Sequence, residues 1–342
     1  MPFSHPNLQN REVNVLVYAS KCYDFEANAA AWVNSGSNRV YRIQKNGQNF
    51  YLRISTHALE YIAAEMDWIN YLKDSVNAPV LVKSNNHKLI ELYQDGEKIY
   101  VLCLFYELPG VFWDKNNAST WNETVFYNWG STMGKMHRLT KKYHPPEGAY
   151  KRPLFENNFI SLDYYKDIPA VYKKMAQIQK EILVFPRDID SYGLIHCDMH
   201  QQNLLIDHNN ISVMDFDDCK YGFFSLDIGI ALYHALWWGL PDDISAQNDF
   251  ALKIIRSFMA GYKAENTLSD FWLGKIMFFM RYRQIAALSW HLSYYKPKDF
   301  NEVVFNDCFN ISYDFGEHIR FIENDIFYET CNVNESAFID TK

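Results

Sequence analysis

Between residues 193 and 232, the sequence alternates short apolar runs with clusters of acidic and amide side chains. One apolar run favours a short buried strand, the polar residues 207–210 favour a turn, and the next apolar run favours a returning strand. Asn203 directly precedes the first strand, and Asp215 directly follows the second. Because the open ends of a hairpin lie side by side, we expect Asn203 and Asp215 to be close together, with Asp198 on the preceding loop.

Oxygen donors of these types suit the chemistry of phosphoryl transfer. Divalent cations neutralise the phosphates in that reaction, and Mg²⁺ prefers carboxylate and carbonyl oxygens. A further carboxylate is needed to orient the attacking hydroxyl and to accept its proton. Kinases combine one aspartate as the base with an asparagine and a second aspartate for the metal ions. Each of these residues alone would be an ordinary turn residue, but together they predict a kinase-type site.

Two motifs in this stretch resemble those of the aminoglycoside phosphotransferase/choline kinase family, whose fold is similar to that of protein kinases. The family's H-x-D-x-x-x-x-N pattern matches His196, Asp198 and Asn203. Its second pattern is D-F-D followed by a glycine and an aspartate, and the matching residues are Asp215, Phe216, Asp217, Gly222 and Asp227. The resemblance extends over about residues 25–235.

The resemblance implies a chemical role for the acidic and amide residues of these motifs. Asp198 is expected to be the catalytic base. Asn203 and Asp215 are expected to be Mg²⁺ ligands. Asp217 or Asp218 is expected to contact the second metal ion.

Further residues of the motifs are expected to shape the loop. The resemblance implies that His196 and Asp227 hold it through hydrogen bonds. His200 matches a second histidine that family members often carry, and it is expected either to contact the substrate or to shape the loop. A zinc site at the two histidines is disfavoured, because they lie on a loop and no third soft ligand accompanies them.

The first hundred residues are predicted to form a small lobe of strands with one helix. Asn46-Gly47 and Asp95-Gly96 each separate two β-prone runs, which is the pattern of a tight hairpin. Residues 58–72 carry apolar side chains at helical spacing. The predicted strands are 38–44, 49–55, 88–94 and 98–106.

For this lobe the resemblance implies a nucleotide site. The expected contacts are Gly36, Ser37, Asn38, Arg53, Glu65, Phe105 and Glu107. The first three occupy the position of the family's phosphate-covering loop, although this loop has one glycine where protein kinases have three. Arg53 replaces the usual lysine that holds the phosphates, Glu65 matches its helix partner, and Phe105 and Glu107 lead into the hinge that reads the adenine edge.

Beyond residue 105 the chain is predicted to be mainly helical, apart from the loops and hairpin of residues 193–232. The predicted helices are 125–139, 245–262, 269–292 and 305–327. The expected fold class is therefore α+β with two lobes, and the resemblance implies that this bilobal fold is protein-kinase-like. Residues 1–105 would form the nucleotide-covering lobe, and residues 106–342 would form the catalytic and acceptor-binding lobe.

Composition limits the partners and the location of the protein. The 342 residues carry a net charge of −8, which argues against a nucleic-acid partner and slightly favours a cationic acceptor. The start has no signal-peptide pattern, and the most apolar tract, residues 228–240, is too short to span a bilayer. The six cysteines are scattered, which is typical of reduced thiols in a cytoplasmic protein. We therefore expect a cytoplasmic protein without a membrane partner.

The expected activity is ATP- and Mg²⁺-dependent transfer of a γ-phosphoryl group to a hydroxyl of a small molecule. An aminoglycoside, choline or ethanolamine, homoserine or a similar amino alcohol, and a thiosugar are the candidate acceptors; the sequence leaves open GTP as the donor and the oligomeric state. A Ser/Thr protein kinase of the same fold is an alternative, disfavoured because no activation-loop phosphosite is evident. A non-catalytic nucleotide-binding regulator is disfavoured because Asp198, Asn203 and Asp215 are all present.

Overall fold

The chain divides into two compact units. The computed structural model describes residues 10–35, 38–166, 169–239, 241 and 244–294. The first unit falls within Met1–Pro109 and His144–Lys151, and the second within Gly110–Tyr143 and Arg152–Lys342. The first unit therefore runs past the predicted lobe boundary at residue 105 and includes a short segment from later in the chain.

An antiparallel sheet forms the centre of the first unit. Its elements are α1 (Asn10–Tyr23), β1 (Ala31–Ser35), β2 (Arg39–Lys45), β3 (Gln48–Ser55), α2 (Leu59–Leu72), β4 (Leu81–Val82), β5 (Glu91–Asp95) and β6 (Lys98–Tyr106). Strands β1, β2, β3 and β6 are neighbours in that order, and β4 and β5 both pair with β6. The predicted helix 58–72 is present as α2.

Tight turns form both predicted hairpins. In the β2–β3 hairpin Lys45 pairs with Gln48, and Asn46 and Gly47 have φ of 53° and 76°. These left-handed conformations match the twist of the strands, and asparagine and glycine adopt them at the lowest cost. The second hairpin turns at Gly96, with φ of 63°.

The predicted strand 88–94 begins only at Glu91, because main-chain amides before it donate hydrogen bonds to the side chain of Ser84. The Ser84 hydroxyl accepts hydrogen bonds from the amides of Asn86 and Lys88. These bonds close a turn where we predicted the start of the strand.

Helix α1 is a correction to the prediction of one helix in this region. Its side chains Val15, Leu16 and Ala19 are buried in the same cluster as the sheet residues. The Tyr23 hydroxyl donates to the carbonyl of Leu102 at 3.3 Å. Helix α1 contains several β-branched and aromatic residues, so its sequence has only a weak intrinsic preference for a helix. Packing against the sheet stabilises the helix instead.

The described part of the second unit is mainly helical. Its elements are α3 (Glu123–Thr140), α4 (Pro169–Leu183), β7 (Tyr192–Ile195), β8 (Leu204–Asp207), β9 (Asn210–Val213), β10 (Lys220–Phe223), α5 (Phe224–Gly239), α6 (Ile244–Glu265) and α7 (Asp270–Tyr294). Three predicted helices are present as α3, α6 and α7. The fourth, 305–327, lies outside the described residues.

Helix α5 corrects the prediction that loops and a hairpin continue to residue 232. Nearly all of its residues are buried, including those on opposite sides of the helix. A helix buried on every side has no polar face, so the usual two-sided pattern is missing from its sequence. No helix in the described ranges has the combination of length and apolar character needed to cross a bilayer.

Two glycines allow helices α3 and α6 to pack backbone against backbone. A Cβ atom added at Gly130 would overlap the carbonyl oxygen of Phe258, and one added at Gly261 would overlap that of Tyr127. Contacts this close leave no space for any side chain at either position.

Substitution of Gly130 by alanine is therefore expected to force these helices apart. We expect a loss of about 3 kcal/mol in the free energy of unfolding, because overpacked cores cannot relax fully. Chemical denaturation followed by circular dichroism measures this loss. The exposed residue Ala260 on α6 provides the control, since Ala260→Ser should change stability by less than about 0.5 kcal/mol. Equal stability of Gly130→Ala and the wild type would contradict the close packing.

Candidate active site

The hairpin formed by β8 and β9 brings two motif residues to its open end. Leu204 pairs with Val213, and the amide of Met214 donates to the carbonyl of Asn203 at 3.0 Å. Asp215 follows Met214 directly and has φ of 62°. Asn203 and Asp215 therefore lie next to each other across the hairpin.

Asp198 lies beside the same end of the hairpin. Nδ2 of Asn203 donates to the main-chain oxygen of Asp198 at 2.9 Å and lies 3.3 Å from its Oδ2. The His196 ring connects the loop to the second strand, because Nε2 donates to the carbonyl of Met214 at 3.0 Å. Nδ1 of the same ring accepts from the amide of Asp198 at 3.3 Å. The loop and both strand ends thus form one hydrogen-bonded unit.

Asp227 fixes the main chain of this loop. Its Oδ1 accepts from the amide of Cys197 at 2.8 Å, and its Oδ2 accepts from the amide of His196 at 3.1 Å. Cys197 has φ of 66°, a left-handed conformation that is costly for a residue with a side chain. The two hydrogen bonds that these amides donate to a fully buried carboxylate stabilise that conformation. Asp227 lies in the first turn of α5, a helix that the sequence analysis did not predict.

His137 supports Asp227 from helix α3 and was missed by the sequence analysis. Its Nε2 lies 3.1 Å from Oδ2 of Asp227, and its Nδ1 lies 2.9 Å from the hydroxyl of Tyr262. Burial lowers the pKa of His137, although the hydrogen bond to Asp227 opposes that shift. The ring is therefore neutral, with Nε2 donating and Nδ1 accepting. A single histidine far from the motif provided no spacing signal that would have identified it.

The side chains of Arg283 and His200 face the carboxylate of Asp198. Nη2 of Arg283 donates to Oδ1 at 2.6 Å, and Nε2 of His200 lies 3.3 Å from Oδ2. Burial raises the pKa of Asp198, but the charge of Arg283 and the hydrogen bond from His200 outweigh it, so the pKa lies well below its usual value. Nδ1 of His200 also accepts from the amide of Gln202, so the ring makes hydrogen bonds within the loop.

The D-F-D segment is held by a buried arginine. Nε of Arg152 donates to the carbonyl of Cys219 at 2.7 Å, and its Nη2 donates to that of Asp217. Phe216 is buried, and its ring centroid lies 4.7 Å from that of His196. The motif gave no signal for the two hydrogen bonds of Arg152, because an arginine from anywhere in the sequence can donate to main-chain carbonyls.

In the first unit, Arg53 and Glu65 form a buried ion pair. Nη1 and Nη2 of Arg53 donate to the two carboxylate oxygens of Glu65 at 2.6 and 3.0 Å. This bidentate geometry uses the planar guanidinium, which a lysine at this position could not reproduce. The guanidinium also lies 5.7 Å from the centroid of the Phe105 ring.

The remaining residues predicted to contact a nucleotide have varied surroundings. Asn38 is buried, whereas Gly36 and Ser37 lie outside the described residues. Glu107 is exposed, and its carboxylate accepts hydrogen bonds from Asn49 and Tyr51 on strand β3. Because the Glu107 carboxylate already has these partners, the main-chain groups beside it remain the candidates for hydrogen bonds to the edge of a nucleotide base.

The donor atoms at the hairpin end suit a hard cation. Within the described ranges, no group of three or more His, Cys, Asp and Glu side chains is arranged to hold a metal ion. The candidate ligands combine the amide of Asn203 with the carboxylates of Asp215 and Asp217. Because Nδ2 of Asn203 donates to Asp198, its Oδ1 is the atom that can bind a cation. An amide oxygen and carboxylates are the donors that Mg²⁺ and Ca²⁺ prefer.

Comparison with known proteins identifies the family. Residues 33–260 match the phosphotransferase enzyme family. Amicoumacin kinase of Bacillus subtilis (strain 168) is 34% identical over 284 residues, which cover 80% of this chain and 83% of that protein.

Solved structures show the same fold. The amicoumacin kinase hAmiN, in complex with AMP-PNP, Ca²⁺ and Ami, superposes with a TM-score of 0.78 at 25% identity, over 91% of this chain and 96% of that chain. The microcompartment-associated aminopropanol kinase superposes with a TM-score of 0.72 at 17% identity, over 94% and 99% of the two chains.

These comparisons confirm the predicted family resemblance, the α+β protein-kinase-like fold class and the enzyme class, which is a small-molecule kinase. The chain belongs to the phosphotransferase enzyme family, as its two motifs implied.

Proposed function

We propose that the protein transfers the γ-phosphoryl group of ATP to a hydroxyl of a small molecule in a reaction that requires Mg²⁺. The observation that carries this proposal is the meeting of Asp198, Asn203 and Asp215 at one end of a hairpin. A base and hard oxygen donors within one hydrogen-bonded unit are what phosphoryl transfer requires. Positioning and charge neutralisation then lower the barrier without a covalent enzyme intermediate.

We assign the role of base to Asp198. Arg283 and His200 keep its carboxylate ionised, so it can accept a hydrogen bond from the acceptor hydroxyl and then the proton. Its main chain is fixed by Asp227 through the amides of the two preceding residues. His196 and Asp227 are thus loop-holding residues in this proposal.

We assign the metal site to Asn203 and Asp215, with Asp217 as a further ligand. A divalent ion bound there would neutralise charge on the phosphates. The Ca²⁺ in the complex of hAmiN supports the use of a divalent ion, and Mg²⁺ is the ion we propose. The amide of Asn203 is held by its bond to Asp198, which would couple the positions of the base and the ion.

For nucleotide binding we propose residues of the first unit, namely Gly36, Ser37, Asn38, Arg53, Glu65, Phe105 and Glu107. The AMP-PNP in the hAmiN complex supports an adenine nucleotide. Arg53 would hold the phosphates, and Glu65 would fix the orientation of its guanidinium.

The conservative variant Arg53→Lys tests this assignment. It keeps the charge but loses the bidentate bond to Glu65, so we expect the KM for ATP to rise about tenfold. Steady-state kinetics with varied ATP measures this change. Arg42→Lys is the control, because Arg42 is exposed on the neighbouring strand β2. An unchanged KM together with a lower melting temperature would show that the pair is only structural.

The acceptor is proposed to be a small molecule with an amine. Amicoumacin is the first candidate to test, because the relative that is 34% identical is a kinase for it. The earlier candidates remain in the panel, and the acidic charge of −8 supports a cationic acceptor.

A cytoplasmic location is also proposed. It is supported by Cys22, Cys103 and Cys197, which are buried free thiols. Cys308 and Cys331 lie outside the described residues.

A thermal-shift screen tests the proposed function. The protein is heated with AMP-PNP and Mg²⁺ and with each candidate acceptor, since a ligand of the folded state raises the melting temperature by mass action. We expect one acceptor to add a shift that requires nucleotide. A second assay offers labelled ATP to the same acceptors and to generic proteins. Label on protein alone would support the Ser/Thr kinase alternative, and binding without turnover would support the non-catalytic regulator.

A further inference from the structure

Among the described residues, the carboxylate of Asp198 has its shortest hydrogen bond with a residue that belongs to neither motif. Nη2 of Arg283 on α7 lies 2.6 Å from Oδ1. The contacts of Asn203 and His200 with Oδ2 are each 3.3 Å long. A short hydrogen bond between opposite charges is the strongest of these interactions, so Arg283 has the largest part in fixing this side chain.

His234 on α5 fixes the guanidinium of Arg283 in turn. Nε of Arg283 donates to Nε2 of His234 at 2.9 Å. His234 is 6% exposed, and burial together with the charge of Arg283 holds its pKa well below the usual value. The ring is therefore neutral, and its Nε2 acts as an acceptor. A guanidinium bonded at Nε and Nη2 cannot rotate without breaking one of the two bonds.

Helix α5 supports the loop at two points on one face. Asp227 and His234 are seven residues apart, which is two helical turns, so they lie on the same side of the helix. Asp227 binds the main chain of the loop, and His234 binds the arginine that holds its carboxylate. The main-chain oxygen of His234 also accepts from Nε2 of Gln201 at 3.2 Å. One face of α5 therefore holds the main chain of the loop directly and the side chain of Asp198 through Arg283.

We propose that Arg283 is a positioning residue for phosphoryl transfer, and that with His234 it holds the Asp198 carboxylate in the orientation that receives the acceptor hydroxyl. This inference rests on the function proposed above. An aspartate side chain has only two rotatable bonds, so one strong bond at Oδ1 determines where Oδ2 lies. Misplacement of a reacting group by about 1 Å can cost about 100-fold in rate.

A purely structural ion pair would behave differently. The side chains of Arg283 and Asp198 are 25% and 21% exposed, so the pair is partly buried. Loss of a structural pair would lower the melting temperature and leave the turnover of the folded enzyme unchanged. Loss of a positioning residue lowers kcat and has no effect once Asp198 itself is replaced.

The experiment measures Mg²⁺-dependent release of ADP from ATP, with amicoumacin present and with water as the sole acceptor. Arg283→Met is expected to lower kcat at least about tenfold with the KM for ATP changed by less than about threefold. In the Asp198→Asn background the same substitution should change kcat by less than about twofold. Arg283→Lys should retain more activity than Arg283→Met, and His234→Phe should lower kcat by a smaller factor.

Arg138→Met is the matched control. Arg138 forms an ion pair with Glu265 at 2.8 Å in the same unit, so its loss removes a comparable pair elsewhere. Its kcat should stay within about twofold of the wild type. If Arg283→Met does not fold, Arg283→Lys and His234→Phe decide the question by the same comparison.

Either of two results would overturn the positioning role: unchanged kcat in the Arg283 variants, or equal losses with and without Asp198. The proposed function fails in a different way. If Asp198→Asn retains wild-type turnover, Asp198 is not the base. If Asp198→Asn is inactive while Arg283→Met is fully active, only the role of Arg283 is wrong.

Discussion

Replacement of Asp198 by asparagine is expected to lower kcat by about 10²- to 10⁴-fold while nucleotide binding is retained. Asparagine has nearly the same shape but cannot accept the proton of the acceptor hydroxyl. Arg283 and His200 hold the natural carboxylate in its ionised form, which is the form that a base requires. The loop itself should persist, because Asp227 and His196 hold its main chain without any contribution from the Asp198 carboxylate.

Two measurements on this variant are needed. Release of ADP gives kcat, and calorimetric titration with AMP-PNP gives nucleotide affinity. Asp190→Asn is the control, because Asp190 is an exposed loop aspartate whose carboxylate pairs with Lys141 at 3.0 Å. Turnover of Asp198→Asn close to the wild-type value would remove Asp198 from the role of base.

Replacement of Asp215 by asparagine should also abolish most of the activity, through loss of the metal ion. We expect kcat at moderate Mg²⁺ concentration to fall by about 10³-fold, because a bound ion supplies several kcal/mol of transition-state stabilisation. An amide oxygen carries no net charge, so the remaining ligands should bind the ion more weakly. Higher Mg²⁺ concentrations should therefore recover part of the lost rate.

A titration of activity with Mg²⁺ measures this effect. The matched control is Asp207→Asn, since Asp207 lies at the opposite end of the same hairpin and pairs with the exposed His208. The control should retain the wild-type dependence on Mg²⁺. An identical dependence in Asp215→Asn would show that the hairpin end does not hold the ion.

Local sequence signals predicted the parts of the fold that depend on local chemistry. Asn46-Gly47 and the residues around Gly96 determined tight turns, because few other residues adopt their left-handed conformations. Helices α3, α6 and α7 were predicted from their sequences. The hairpin of β8 and β9 was predicted because apolar strands flank a polar turn.

Tertiary packing determined two of the helices that were missed. Helix α5 is buried on every side, and helix α1 is stabilised by the sheet on which it packs, so neither has a clear pattern of its own. Local preference is weak compared with burial in both cases.

The motif residues of the candidate site could be identified from the sequence, but the residues that hold them could not. His196, Asp198 and Asn203 stand at a fixed spacing on one loop. His137 and Arg283 are 90 and 85 residues distant from their partners, Asp227 and Asp198. No spacing rule connects residues that meet only after the helices have packed.

The mass of the acceptor after reaction is the most direct test of the central claim. The wild-type enzyme and Asp198→Asn are each incubated with ATP, Mg²⁺ and the acceptor panel, and the products are measured by mass spectrometry. We predict that one acceptor gains a single HPO₃ group with the wild-type enzyme and stays unchanged with the variant. Unmodified acceptors throughout, or equal phosphorylation by both proteins, would contradict the account.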